Sequence, residues 1–147
     1  MVEFRKIGID ELHKVRTIAY ETWPHTFGDV LPKEQITYML ELIYNEESLK
    51  KQMLEKRHNF ILAEQQTEAL GFTSFEINYN SEHQLMIHKL YLLPLAKGMG
   101  IGTKLLNVLS EIALQNKNSQ LRLKVFYQNT KAINFYEKYG FKNISSL

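Results

Sequence analysis

The apolar stretch Leu90-Tyr-Leu-Leu-Pro-Leu-Ala runs into Lys97-Gly98-Met99-Gly100-Ile101-Gly102-Thr103, which opens directly into a helical pattern. Glycine at every second position leaves backbone N–H groups uncovered by side chains. Those groups sit at the positive end of a helix dipole, an arrangement that holds a phosphate or pyrophosphate without help from any particular side chain. A strand that turns this tightly into a helix, followed by another strand over Leu121 to Tyr127, forms a strand–helix–strand crossover. Such a crossover pairs its two strands in parallel, so the chain is expected to be α/β.

Spacing narrows the ligand. A P-loop requires four residues between its first glycine and a Gly-Lys-Ser/Thr triplet, but here Gly102 is followed by Thr103 and then Lys104. A dinucleotide fingerprint requires Gly-x-Gly-x-x-Gly. Read from Gly98, its third glycine position holds Thr103, and no acidic residue follows at the end of the next strand. What fits is Gln/Arg-x-x-Gly-x-Gly/Ala, present as Lys97-Gly98-Met99-Gly100-Ile101-Gly102. Downstream, Asn129-Thr-Lys-Ala132-Ile-Asn-Phe135-Tyr136-Glu-Lys-Tyr-Gly140-Phe141 fits Asn-x-x-Ala-x-x-Phe-Tyr-x-x-x-Gly-Phe. Together the two motifs resemble the GNAT N-acetyltransferase superfamily over residues 58 to 144. Lys97 departs from the family's Gln or Arg, keeping the positive charge but losing the planar fork of donors.

The resemblance implies a GNAT fold: a mixed, mostly antiparallel sheet with a splayed central parallel pair, flanked by helices, and acetyl-CoA lying in the splay. It implies cofactor contacts from the loop residues Lys97 to Thr103, from the backbone of Leu90 and Leu92, and from Asn129, which is equally placed to cap a helix. It implies that Tyr136 protonates the departing CoA thiolate. A phenol suits that role because it stays protonated at neutral pH. His88 lies two residues before Leu90, on the same face of an alternating strand. It stands where many family members carry a carboxylate base, and an imidazole can do that work.

Composition sets bounds on the rest. The chain has 147 residues, 44 % of them hydrophobic and 23 % charged, which suits one domain over residues 1–147. A net charge of +2 gives no basic footprint for nucleic acid. With no cysteine there is no disulfide framework, thiolate metal site or cysteine nucleophile. The five histidines show no His-x-x-x-His pairing, so no metal is expected. No apolar run is long enough to span a membrane, and a cytoplasmic location is expected.

Along the chain, the reading is a strand over 2–7, then a helix capped by Asp10 and broken at Trp23-Pro24. A helix follows from Pro32 to Tyr44, and a short one from Glu47 to Leu54. Strands are expected over 60–63 and 70–77, and a long one over 84–93. A helix over 103–115, a strand over 121–127, a helix over 131–139 and a final strand over 141–145 complete the order. The resemblance implies that the loop between the first two helices, which carries Trp23, His25, Phe27 and Asp29, walls the acceptor site, and aromatics with carboxylates there suit an organic cation. Its Thr22-Trp23 to Thr26-Phe27 segment faintly resembles bacterial spermine/spermidine acetyltransferases.

The expected activity is transfer of an acetyl group from acetyl-CoA to a primary amine, on a small molecule such as a polyamine or on a peptide. The alternative is a non-catalytic acyl-CoA-binding or sensor module. The resemblance implies a hairpin of two strands past Gly140-Phe141; residues 141–147 leave room for only the first, so the last strand is expected to be missing, through a naturally short chain or a truncated sequence. An open edge at Phe141 to Ser145 would then predict a homodimer.

Overall fold

A computed structural model describes residues 1–144. Its sheet has the order β1-β2-β3-β4-β5, with β1 Glu3–Lys6, β2 Asn59–Gln65, β3 Glu68–Glu76, β4 Gln84–Leu92 and β5 Gln120–Leu123. The first three pairings are antiparallel and β4–β5 is parallel, the mixed sheet that the sequence implies. Helices α1 Leu12–Phe27, α2 Lys33–Tyr44 and α3 Glu46–Leu54 cover one face. Helices α4 Ile101–Gln115 and α5 Thr130–Tyr139 cover the other.

Each layer has its own core. Val15, Ile18, Trp23, Leu40 and Tyr44 bury against Phe60, Leu62 and Phe72 on the first face. Leu105, Leu106 and Leu109 bury against Ile61, Phe75, Leu85 and Ile87 on the second. The alternation along β2 explains the division, since successive residues point to opposite faces.

Several elements differ from the sequence reading. Helix α1 does not break at Trp23-Pro24 but carries Pro24 inside it and ends at Phe27. An interior proline costs about 3 kcal/mol. Against that, Trp23 and Phe27 are both buried and meet edge-to-face at 4.9 Å. They sit one turn apart on the core face, and each large side chain contributes roughly 1.5–3 kcal/mol on burial. Packing therefore carries the helix past its breaker. Asp10 does not cap α1; it lies in a 3₁₀ turn, and Glu11 at the cap position binds Arg5 and Lys14 instead.

Strand β5 stops at Leu123, four residues short of its expected end, for a reason central to the site described below. The expected last strand is not formed: residues 141–144 are in no strand, and Ser145 lies outside the described residues. Phe141 instead turns back onto the Tyr136 and Tyr139 rings, and its N–H donates to the Tyr136 carbonyl at 3.0 Å. The sheet edge on that side belongs to β5, so the edge argument for a homodimer loses its strand.

Candidate active site

Strands β4 and β5 pair only from Gln84–Ile87 to Gln120–Leu123. Beyond that point they part. Residues 87–91 and 123–126 form opposite walls of a cavity of about 280 Å³, closed by Asn129, Ala132 and Tyr136 from the α5 side and by Trp23, Phe27, Leu31, Gln35 and Met39 from α1, α2 and the loop between them.

A bulge shapes the β4 wall. Ser74 pairs with Lys89 and Phe75 with Ile87, leaving His88 as the extra residue. The alternation shifts there. Leu85 and Ile87 face the α4 core, and after the bulge Leu90 and Leu92 face it again. His88 and Lys89 therefore both project toward the other layer. This corrects the expectation that His88 shares a face with Leu90.

Lys89 reaches across the Tyr44 and Phe60 rings and donates to Gln52 Oε1 at 2.7 Å. Burial lowers its pKa to about 8. His88 Nε2 lies 3.2 Å from Glu76 Oε1, and its ring stacks on His58 at 3.9 Å with 12° between planes. Burial lowers the pKa of His88, against the raising effect of the Glu76 hydrogen bond. Burial, with His88 and the Lys89 and Lys56 charges, lowers His58 to about 3.

His58, Glu76 and His88 bring three donor atoms within 4.8 Å of one another. The sequence reading, which found no His-x-x-x-His pairing, missed this grouping. Stacked rings direct their in-plane lone pairs side by side rather than toward one point. An ion would need one ring to leave the stack.

His58 makes stability pH-dependent. Its folded pKa lies below the ordinary 6.5, so the unfolded chain binds more protons between those values. That contribution is present above pH 6.5 and is lost as pH falls toward about 3. Thermal melts should show a decline that begins below pH 6.5, and His58→Phe should flatten its upper part. Parallel curves for the two proteins would show that His58 is solvated.

At the far end of β4 the glycine loop leads into α4. Gly98 and Gly100 have φ of +88° and +74°, and a Cβ at either would meet nothing within 4 Å. The backbone is left-handed there and the space in front of it is open, as close approach of a ligand requires. Gly102 differs. It is buried, and a Cβ there would lie 2.9 Å from the Phe135 ring, so its bareness lets α5 pack on α4. Ile101 is buried as an anchor, while Lys97, Met99 and Thr103 are exposed around the loop. The unpaired N–H groups of the first α4 turn face outward with the dipole behind them.

The remaining expected residues divide. Asn129 both lines the cavity and caps α5, its Oδ1 accepting from Ala132 N at 3.3 Å. Tyr136 lines the cavity, wedged between Phe135 and Phe141, and burial pushes its phenol well up. Leu90 lines the cavity too, and Leu92 lies beyond it in the α4-side core. Of the expected acceptor wall, Trp23 and Phe27 line the cavity, whereas His25 and Asp29 are exposed and do not. The continued helix turns His25 away from the core face, and Asp29 lies in the turn beyond its end. Gln35 and Met39, one turn apart on α2, were missed, although their spacing was a readable signal.

A sheet that splays beside a glycine loop at a helix N-terminus defines a binding fold for a phosphate-bearing, extended ligand. The chain belongs to the acetyltransferase (GNAT) family, which matches residues 12–141. It is 29 % identical to the spermidine N(1)-acetyltransferase of Thermoplasma acidophilum, over 96 % of this chain and 88 % of that protein. A 59-residue segment, 40 % of this chain and 35 % of the other, is 37 % identical to the thialysine N-epsilon-acetyltransferase of Mus musculus. The crystal structure of the PaiA N-acetyltransferase from Thermoplasma acidophilum, in complex with coenzyme A, superposes with a TM-score of 0.88 at 27 % identity, covering 97 % of this chain and 90 % of that one. Among the described residues no helix is long and apolar enough to cross a membrane.

Proposed function

We propose that this acetyltransferase moves the acetyl group of acetyl-CoA to a primary amine held between α1, α2 and β4. The acceptor is a small molecule such as a polyamine, or a peptide amino group. One observation carries the reading: a single cavity has His88 on its β4 wall and Tyr136 on its α5 wall. A base and an acid thus flank the gap where two strands part.

The assigned roles follow from chemistry. An alkylamine is protonated at neutral pH, with a reference pKa of about 10.4 for a lysine-like group. It must lose that proton before it can attack a thioester. His88 takes it, directly or through one water. Tyr136 gives its proton to the thiolate that leaves. A phenol holds its proton at neutral pH, and among the described residues the Tyr136 hydroxyl has no side-chain hydrogen bond to hold it elsewhere. Gly98, Gly100 and the first turn of α4 hold the pyrophosphate, and the freed edge of β4 offers main-chain groups to the pantetheine arm. Positioning two reactants in one cavity supplies much of the rate.

The test is release of free CoA thiol from acetyl-CoA over a panel of spermidine, lysine analogues and peptides. Thiol release with any of them supports the transferase. Tight acetyl-CoA binding with no release on any amine favours the sensor module. Trp23 and Phe27 form the acceptor wall, so Trp23→Ala should raise KM for the amine by roughly tenfold, as removal of an aromatic contact of about 1–2 kcal/mol would. KM for acetyl-CoA should change little. Equal effects on both substrates would make the wall structural. The cytoplasm remains the expected compartment.

A further inference from the structure

We infer that Glu76 and His58 are positioning residues for His88: Glu76 holds the His88 proton on Nε2, and His58 fixes the ring plane, so that the Nδ1 lone pair is presented to the acceptor amine. The inference deepens the reading of His88 as the base and rests on it.

The bulge is the starting point. It removes His88 from the cross-strand register and turns it out of the sheet toward Glu76. A carboxylate only accepts, so the ring nitrogen 3.2 Å from Glu76 Oε1 is the one that carries hydrogen. A neutral imidazole has one such hydrogen. Nδ1 is then the basic nitrogen. Among the described residues it has no hydrogen-bond partner and it is not shut off from solvent, whereas His58 Nδ1 is buried and unpartnered. The open nitrogen of the pair therefore belongs to the histidine that lines the cavity.

The ring plane is fixed from three sides. His58 stacks flat on it at 3.9 Å, the Tyr79 ring meets it edge-on at 5.7 Å, and Glu76 pins one corner. His58 itself sits with Nε2 4.0 Å from the same Glu76 oxygen, beyond hydrogen-bond reach. It stays neutral at working pH, so it does not repel the imidazolium formed when His88 takes a proton. The charges facing His88 are Glu76 from β3 and the cations Lys89 from β4 and Lys124 beyond β5. The two lysines oppose protonation of His88, and Glu76 is the group that offsets them. Without it His88 would be both misoriented and a weaker base.

The experiment has one readout independent of turnover and one dependent on it. Nitrogen-15 spectra of the imidazoles, with the His88 signals assigned by their loss in His88→Gln, should show neutral His88 protonated at Nε2. In Glu76→Gln the preference should weaken, because an amide can offer either oxygen or N–H. The acid limb of kcat/KM for the amine should move to lower pH in Glu76→Gln, since the carboxylate raises the His88 pKa. The plateau should fall by roughly tenfold to a thousandfold, as for a base that loses its orienting carboxylate. Acetyl-CoA affinity and melting temperature should stay near wild type, and Glu76→Asp, which keeps the charge, should recover the acid limb. A wild-type His88 protonated at Nδ1, or a Glu76→Gln protein with unchanged tautomer and unchanged acid limb, overturns the inference. Full turnover in His88→Gln removes the base itself. Loss in His88→Gln without loss in Glu76→Gln removes only the positioning.

Discussion

Tyr136→Phe is expected to lower turnover by roughly a hundred- to ten-thousand-fold, the usual range for a group that transfers a proton in the rate-limiting step. The change removes one oxygen and keeps the ring. The ring is what the fold uses, through its edge contacts with Phe135 and Phe141 at 5.2 and 5.6 Å. Among the described residues the hydroxyl makes no side-chain hydrogen bond that the fold would lose. Stability and acetyl-CoA affinity should therefore hold while turnover collapses. The raised phenol pKa adds a sign. Burial keeps Tyr136 protonated well above neutrality, so the wild-type rate should not fall on the alkaline side until pH passes the ordinary tyrosine value of about 10. Single-turnover measurements isolate the chemical step. A Phe variant with wild-type single-turnover rates would return Tyr136 to the core.

Much of this site was readable because its motifs are local. Glycine spacing, a strand before it and a helix after it are contiguous in sequence, and so are Asn129 and Tyr136. The parallel β4–β5 pair followed from the crossover alone. What was not legible depends on events a single strand does not record. The bulge at His88 shifts the phase of β4 by one residue, and no alternation rule predicts where an extra residue enters. Glu76, His58 and His88 come from three separate segments, so their meeting is a property of register. Pro24 misled for a different reason. Local propensity ends a helix there, but burial of Trp23 and Phe27 decides otherwise, and the same continuation carries His25 away from the cavity. Gly102 was read as part of the ligand cradle, yet the contact its bareness permits is with Phe135.

That distinction between glycines leads to the other large effect. Gly100→Asp is expected to lower acetyl-CoA affinity by on the order of a hundredfold or more. The space in front of Gly100 is open, so the fold accepts a side chain without a clash. At φ of +74° the backbone strain is roughly 1–2 kcal/mol, and aspartate is among the residues that tolerate it best. The folded protein should therefore persist, with a melting temperature lowered by a few degrees at most. The ligand meets a different situation. A carboxylate would stand at the N-cap of α4, where the helix dipole and unpaired N–H groups favour negative charge. It would occupy the place of the pyrophosphate and repel it. Like charges held together cost several kcal/mol, and about 1.4 kcal/mol is a tenfold change in affinity. Gly100→Ala separates the two terms, because it adds at least as much strain without the charge, and it should retain most of the binding. Gly102→Asp is the wrong variant for this purpose, since its side chain would push on Phe135 and displace α5 with Tyr136 on it. Calorimetric titration with acetyl-CoA decides the matter. Wild-type affinity in Gly100→Asp would mean that the pyrophosphate is held elsewhere than at the α4 N-terminus, and equal losses in the Ala and Asp variants would mean that backbone strain rather than charge is what the loop cannot bear.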